Sequence, residues 1–251
     1  MGRSGIAAII LICCLGIVPA WGEADSPNPP NGSTAVTVPP ATIIGFVGGF
    51  VKSNDRVHST IQLAERLRNA YPTGVNVRVF ENHRGDEAYR EVLRHLDADN
   101  DGTLSQEEKR QARIIIYGHS WGASETVTLA RKLEKAGIPV LLTIQVDSVS
   151  KRGENDAIIP ANVAEAVNFY QTRGWVHGRP QIQAADPKHT EIVGNFRLDY
   201  GEKPINCEGY PWFDRFLVKT HTEIECDPKV WDRVKALIES KLSPEVRAAV
   251  R

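Results

Sequence analysis

The sequence predicts an α/β fold of three layers, a doubly wound and mostly parallel sheet between helices. Short, almost unbroken apolar runs such as "TIIGFV" and "ARIIIYG" suit strands buried on both faces. Between them lie stretches at helical spacing, and strand–helix alternation builds parallel sheets. A chain of 251 residues that is 41% hydrophobic can close one core of this kind. A formal charge of −1 gives no electrostatic reason to expect a nucleic acid or an anionic membrane as partner.

The first element is not part of the fold. "MGRSGIAAIILICCLGIVPAWGEA" carries Arg3, an apolar run from Ile6 to Val18 and small residues near Ala20 and Gly22. That is the layout of a secretory signal over residues 1–22, cleaved after Gly22, with an uncleaved anchor as the alternative. The run is short for a membrane span, so no stable span is expected after cleavage and the protein is expected to be secreted or periplasmic. Cys13 and Cys14 would leave with the signal. Cys207 and Cys226 remain, and in an oxidising compartment such a pair suggests a disulfide closing a loop that contains His221. Residues 23–40 are rich in Pro, Ser and Asn and read as a flexible leader, with a glycosylation-type "NGS" at Asn31. The domain proper is 41–251, without internal repeats.

"TIIGFV" (42–47) is the first buried strand. "DRVHSTIQLAERLRNAY" predicts a helix capped by Asp55 and stopped before Pro72. "VNVRVF" is a strand, "DEAYREVLRHL" a helix and "ARIIIYG" a strand. "ASETVTLARKLEKAG" is a helix closed by Gly137, followed by the strand "PVLLTIQVD". "PANVAEAVNFYQTRG" (160–174) reads as a further helix and "PQIQAA" as a strand. "DPKVWDRVKALIESKL" is the last helix, capped by Asp227 with Pro228 in its first turn and Val230, Val234, Leu237 and Ile238 facing inward.

Between a strand and a helix stands "GHSWG", a G-x-S-x-G string from Gly118 to Gly122. A strand-to-helix turn this sharp leaves no room beside the serine, hence the glycines. Ser120 would then sit at a helix N-terminus, where backbone N–H groups favour a developing oxyanion. The bland alternative is a tight turn without chemistry.

On this elbow and the order of elements, the chain over roughly residues 42–242 resembles the α/β-hydrolase superfamily, in particular its small lipase-, esterase- or cutinase-like members. The resemblance implies a serine hydrolase forming an acyl-enzyme, with a small-molecule or lipid ester as substrate. The implied order is nucleophile, acid, base. Ser120 is then the nucleophile. Asp147, ending the strand after the elbow helix, is favoured as the acid over Asp186 in "QAADPKHT". His221, in "KTHTEIECDP", is expected in a loop before the last helix as the base. His119 is expected to point elsewhere on the turn, His177 and His189 come before the last loop, and His58, His83 and His95 precede the elbow. The oxyanion hole is expected from the amide of Trp121 and one from "GFVGGF", at Phe46 or Val47, with Val47 taken; the family's His-Gly is absent there, so the register is open by a residue. A glycine-rich loop could instead bind phosphate, but neither a dinucleotide spacing nor a P-loop Lys is present. Phe196, Tyr200, Tyr210, Trp212, Phe213 and Phe216 form either a substrate wall or lid, or core.

A second motif has different chemistry. "DADNDGTLSQEE" fits an EF-hand loop, with Asp97, Asp99 and Asp101 at positions 1, 3 and 5 and Gly102 at the turn. Thr103 offers its carbonyl at 7, Ser105 a water-bridged contact at 9, and Glu108 a bidentate carboxylate at 12. Leu104 is the apolar tie at position 8. The motif implies a structural Ca²⁺, with Glu87–Leu96 as the entering helix and room for about two turns of exiting helix. With no paired loop in sight, sensor-type opening is not implied. The alternative is a solvated acidic turn. Two other functional classes stay open: a calcium-binding protein on an inactive hydrolase scaffold, and an acyltransferase or thioesterase using the same triad.

Overall fold

Burial decides which apolar runs become strands, and four of the sequence-predicted ones do so. The structure, a computed structural model, describes residues 39–248. The signal segment, most of the leader, Asn31, Cys13 and Cys14 lie outside the described residues. The elements run β1 (Ala41–Val47), α1 (Ser59–Ala70), β2 (Val75–Glu81), α2 (Gly85–Leu96), α3 (Gln106–Arg110), β3 (Ile114–His119), α4 (Trp121–Lys135) and β4 (Val140–Val146). There follow β5 (Ile158–Ile159), β6 (Val163–Tyr170), β7 (Gln183–Ala184), β8 (Glu191–Arg197), α5 (Trp212–Leu217), α6 (Lys219–Cys226), α7 (Pro228–Ser240) and α8 (Pro244–Ala248).

Six strands form one sheet in the order β2-β1-β3-β4-β6-β8, and each neighbouring pair is parallel. The chain runs outward from β1 to β2, then returns to β3 on the other side of β1. Strand order therefore reverses between β1 and β3, and ligands of open α/β sheets bind at the carboxyl ends there. Two buried clusters flank the sheet. One joins Ile43, Ile115, Tyr117 and Ile144 to α1 and α7 through Leu63, Leu67, Trp231 and Val234. The other joins Ile44, Ile114 and Ile116 to α2 and α4 through Val92, Val127 and Leu133. This is the three-layer, doubly wound arrangement expected. Among the described residues, no helix is long and apolar enough to cross a membrane.

The structure corrects several expectations. Residues 160–174 are not a helix: Val163–Tyr170 is a strand between β4 and β8. Val163, Ala166, Val167 and Phe169 are buried there, a spacing compatible with either period, and burial on both faces removes the alternation that identifies a strand. β8 lies in a stretch where no strand is predicted, and "PQIQAA" contributes only the two residues of β7, paired with β5 in a separate small sheet. α1 begins four residues after Asp55, whose carboxylate accepts the Val57 amide in a turn. α3 has five residues, shorter than two turns, because Ile114 already belongs to β3. Asp227 does cap α7, accepting the Lys229 amide.

Candidate active site

The elbow forms where β3 turns into α4. Ser120 takes φ 57° and ψ −126°, a strained conformation for a residue with a Cβ. Its amide donates to the Val146 carbonyl of β4, and its carbonyl accepts from Val149. Gly122 is obligatory: a Cβ there would lie 2.3 Å from the Phe46 carbonyl oxygen of β1. Ser120 thus stands at the carboxyl edge of the sheet, beside the β1/β3 reversal.

His221 reaches the same point from a helix, α6, and not from the loop expected. Its Nε2 is 2.8 Å from Ser120 Oγ, and its Nδ1 is 2.6 Å from Asp147 Oδ2. A carboxylate only accepts, so Nδ1 carries the proton and Nε2 is left to accept from the serine hydroxyl. Asp147 closes β4 at φ 46° and has no exposure to solvent. Its charge is balanced by donors: the Gly178 amide at 2.7 Å, the Gln171 amide at 3.1 Å and Gln171 Nε2 at 2.8 Å. Burying a carboxylate without such partners costs several kcal/mol. The next layer holds this loop in place, with Arg179 and Ser148 both on the buried Asp156. Asp186 pairs instead with His189, on its own turn.

A cavity of about 490 Å³ opens over the serine. Its walls include Phe50, Trp121, Val149, Val176 and Phe213 on the apolar side. Trp121 is the first residue of α4, so its amide is a free helix N-terminal donor. Val47 is buried within β1, whereas Gly48 and Gly49 line the cavity and a Cβ on Gly48 would come within 2.8 Å of Ser120 Cβ. The glycine loop therefore faces the serine one or two residues later than Val47. The aromatic stretch divides. Tyr200 and Tyr210 are buried, Phe196 stacks on Phe169 with centroids 5.5 Å apart, and Trp212, Phe213 and Phe216 are exposed.

His119 does not turn away, contrary to the expectation from its place on the turn. Its ring lies against His221, centroids 4.5 Å apart and planes inclined at 33°, and it lines the cavity with His58 and Glu225. Burial holds His119 neutral, its pKa pushed down to about 4. Sequence order missed His58, His119 and Glu225; the spacing of His221 and Glu225, four residues apart on one helix, was the available signal. The disulfide expected between Cys207 and Cys226 is present, with Cα atoms 5.8 Å apart, and it brackets α5 and most of α6 including His221.

In the acidic loop, carboxylate oxygens of Asp97, Asp99 and Glu108 lie within 4.8 Å of one another. Gly102 makes the turn at φ 83°. Glu108 reaches back across the loop to the Ala98 amide at 2.8 Å, and forms a capping box with Ser105 at the start of α3. Asp101 is turned to the Thr103 amide at 2.7 Å. Leu104 packs on the α2–α4 side of the core. Three convergent carboxylates form an all-oxygen set, which suits a hard divalent cation.

No family model matches the chain. No curated protein matches it either. Among solved structures, an arylesterase is 10% identical at TM-score 0.46, over 81% of this chain and 77% of that one. A thermostable esterase from Pseudomonas putida is 10% identical at TM-score 0.41, over 87% and 77%. A thioesterase from the prodiginine biosynthetic pathway in Streptomyces coelicolor is 10% identical at TM-score 0.36, over 81% and 98%. At these values the functional reading rests on the side chains of the site.

Proposed function

We propose that the protein is an exported serine hydrolase of the α/β-hydrolase type that cleaves a small-molecule or lipid ester through Ser120, His221 and Asp147. One observation carries the reading: an unbroken hydrogen-bonded chain from Ser120 Oγ through the His221 ring to a buried, fully partnered Asp147. Such a chain orients the imidazole to take the serine proton and has no other evident use in a cavity wall. Ser120 Oγ attacks the ester carbonyl while His221 Nε2 accepts its proton. The carbonyl oxygen becomes an oxyanion, received by the amide of Trp121 and one from Gly48 or Gly49. His221 then donates the proton to the leaving alkoxide as the tetrahedral carbon collapses to an acyl-serine. Water, deprotonated by the same nitrogen, releases the acid and restores the serine.

The acidic loop is proposed to hold a structural Ca²⁺ through Asp97, Asp99, Asp101, Thr103, Ser105 and Glu108, tying α2 to the strand that carries the elbow. In an oxidising, calcium-rich exterior both this site and the disulfide are sustained. The experiment is labelling by a fluorophosphonate probe with Ser120→Ala and His221→Ala as controls. Labelling of the wild type alone supports the reading. No labelling of the wild type, with a hydroxyl accessible to the probe, refutes it and leaves the inactive-scaffold class. Hydrolysis without Ser120 would also refute it, and product analysis with alcohol acceptors distinguishes hydrolysis from acyl transfer.

A further inference from the structure

Glu225 is a carboxylate in the wall of the candidate active-site cavity that, among the described residues, has no lysine or arginine partner. It is 6% exposed, and burial alone would push its pKa up. It lies one helical turn after His221, so both side chains occupy one face of α6. Oε1 accepts from His58 Nδ1 at 2.7 Å, and Oε2 lies 3.5 Å from His119 Nδ1. The His119 ring, in turn, lies against His221 with its plane inclined at 33°. A buried ion pair with His58 explains how Glu225 is tolerated. It does not explain why the carboxylate's second oxygen is aimed at the ring on which His221 rests.

We propose that Glu225, acting through His119, is a positioning residue for His221, fixing the face of its ring and stabilising the positive charge that arises when it takes the Ser120 proton. The inference rests on the triad reading above. Asp147 holds one nitrogen of His221 and Ser120 faces the other, so tilt of the ring about the line between them is limited by its own bond to Cβ and by what packs on its face. The His119 ring limits that tilt by contact, and Glu225 Oε2, 3.5 Å from His119 Nδ1, faces the edge of that ring. In a cavity with a low dielectric, an anion one ring away acts strongly on a cation formed at His221.

The neighbouring charges bear on the sign. Against this pair stand Asp55 and His58 before α1, His119 at the end of β3, Asp147 at the end of β4, and Tyr210 and Asp214 around α5, with Lys52 on the cavity rim. Burial opposes charge on both His58 and Glu225. The hydrogen bond and mutual attraction prevail, so His58 sits above its ordinary value, and the same hydrogen bond and charge of His58 hold Glu225 below its own. His58 therefore offsets part of the field that Glu225 sends towards His221.

Two substitutions separate field from packing. Glu225→Gln keeps the shape and removes the anion; His58→Gln keeps a donor to Glu225 and removes the cation. The midpoint of the His221 ring titration, read by NMR on its Cε1 proton, is expected to fall by about one pH unit in Glu225→Gln and to rise by several tenths in His58→Gln. On a soluble p-nitrophenyl ester, the acid limb of kcat/KM should follow in the same directions. The kcat of Glu225→Gln should fall about tenfold with KM within twofold. Unchanged midpoints, or shifts of the same sign in both variants, overturn the proposal. If Glu225→Gln does not fold, His58→Gln decides alone, an upward shift supporting it and any other result overturning it. The ring titration needs no turnover, so absent fluorophosphonate labelling refutes the hydrolase reading and leaves this measurement in force.

Discussion

His221 Nε2 stands 2.8 Å from Ser120 Oγ, although 101 residues separate the two in the chain. The contact depends on the sheet: β3 ends at the serine, β4 ends beside it at Asp147, and α6 descends over both. Parallel strands bring all their carboxyl ends to one edge, so residues distant in sequence meet there by topology.

Asp147→Asn tests the orienting role. The amide cannot accept from all the donors that now converge on the carboxylate, and it does not hold the proton on His221 Nδ1. The expected result is a loss of kcat on the order of 10³- to 10⁴-fold with KM little changed. Thermal melts should show a cost of about 1–3 kcal/mol, because a buried acceptor is replaced by a donor. Steady-state kinetics and melting on the same preparation check both.

The acidic loop predicts a calcium-dependent melt. With Ca²⁺ at about a hundred times its dissociation constant, binding adds roughly 2.7 kcal/mol, which for a chain of this size raises Tm by about 5–10 °C. Glu108→Gln removes one of the three converging carboxylates and should abolish the difference between calcium and chelator. Calorimetry with and without chelator decides, and a melt indifferent to calcium in the wild type removes the site.

Much of this organisation was legible in the chain, and the exceptions share a cause. β1, β3 and β4 announced themselves because strands buried on both faces read as nearly continuous apolar runs, interrupted only by Thr42, His119, Thr143 and Gln145. The elbow was legible because its backbone geometry excludes side chains at Gly122. The stretch 163–170 misled because Ala and Glu favour helices while burial on both faces, which only the completed sheet supplies, favours a strand. His119 was misjudged for a similar reason. What a ring on a turn touches depends on α6, which arrives from a hundred residues away, and no local pattern encodes that contact.

His119 makes the fold sensitive to acid. Buried and held neutral to about pH 4, it does not take up the proton that the unfolded chain binds near 6.5. The unfolded state therefore binds more protons between those values, and stability is lost as pH falls from 6.5 towards 4. The loss from this one group is on the order of 3 kcal/mol. Tm measured across that window should fall in the wild type, and His119→Phe should flatten the slope. An equal slope in both proteins would assign the acid sensitivity elsewhere.

The disulfide constrains the segment that delivers His221. Cys207 and Cys226 close a separation of 19 residues around α5 and most of α6. Opening a loop of this size costs about 3 kcal/mol in the chain-entropy account. Cys207→Ser with Cys226→Ser is expected to lower Tm accordingly and to reduce kcat more than it raises KM, since the loosened group is the base. Reduction of the wild type should reproduce both effects, and alkylation under native conditions should find no free thiol before reduction.

Gly122→Ala is the harshest single test of the elbow. The added Cβ would stand 2.3 Å from the Phe46 carbonyl oxygen and 2.7 Å from that of Val47, both backbone atoms of the interior strand β1 that cannot rotate away. Either α4 moves off the sheet or β1 bends, and both bury the Val127 and Leu129 contacts less well. The expected cost is above about 3 kcal/mol, enough to leave little soluble protein or a sharply lowered melt. By contrast Gly49→Ala meets no atom within 4 Å, so only its positive φ of 47° opposes the change, and a cost of about 1 kcal/mol is expected. Parallel expression and melting of the two variants measure the difference, and comparable stability would mean that α4 does not sit against β1 as closely as described.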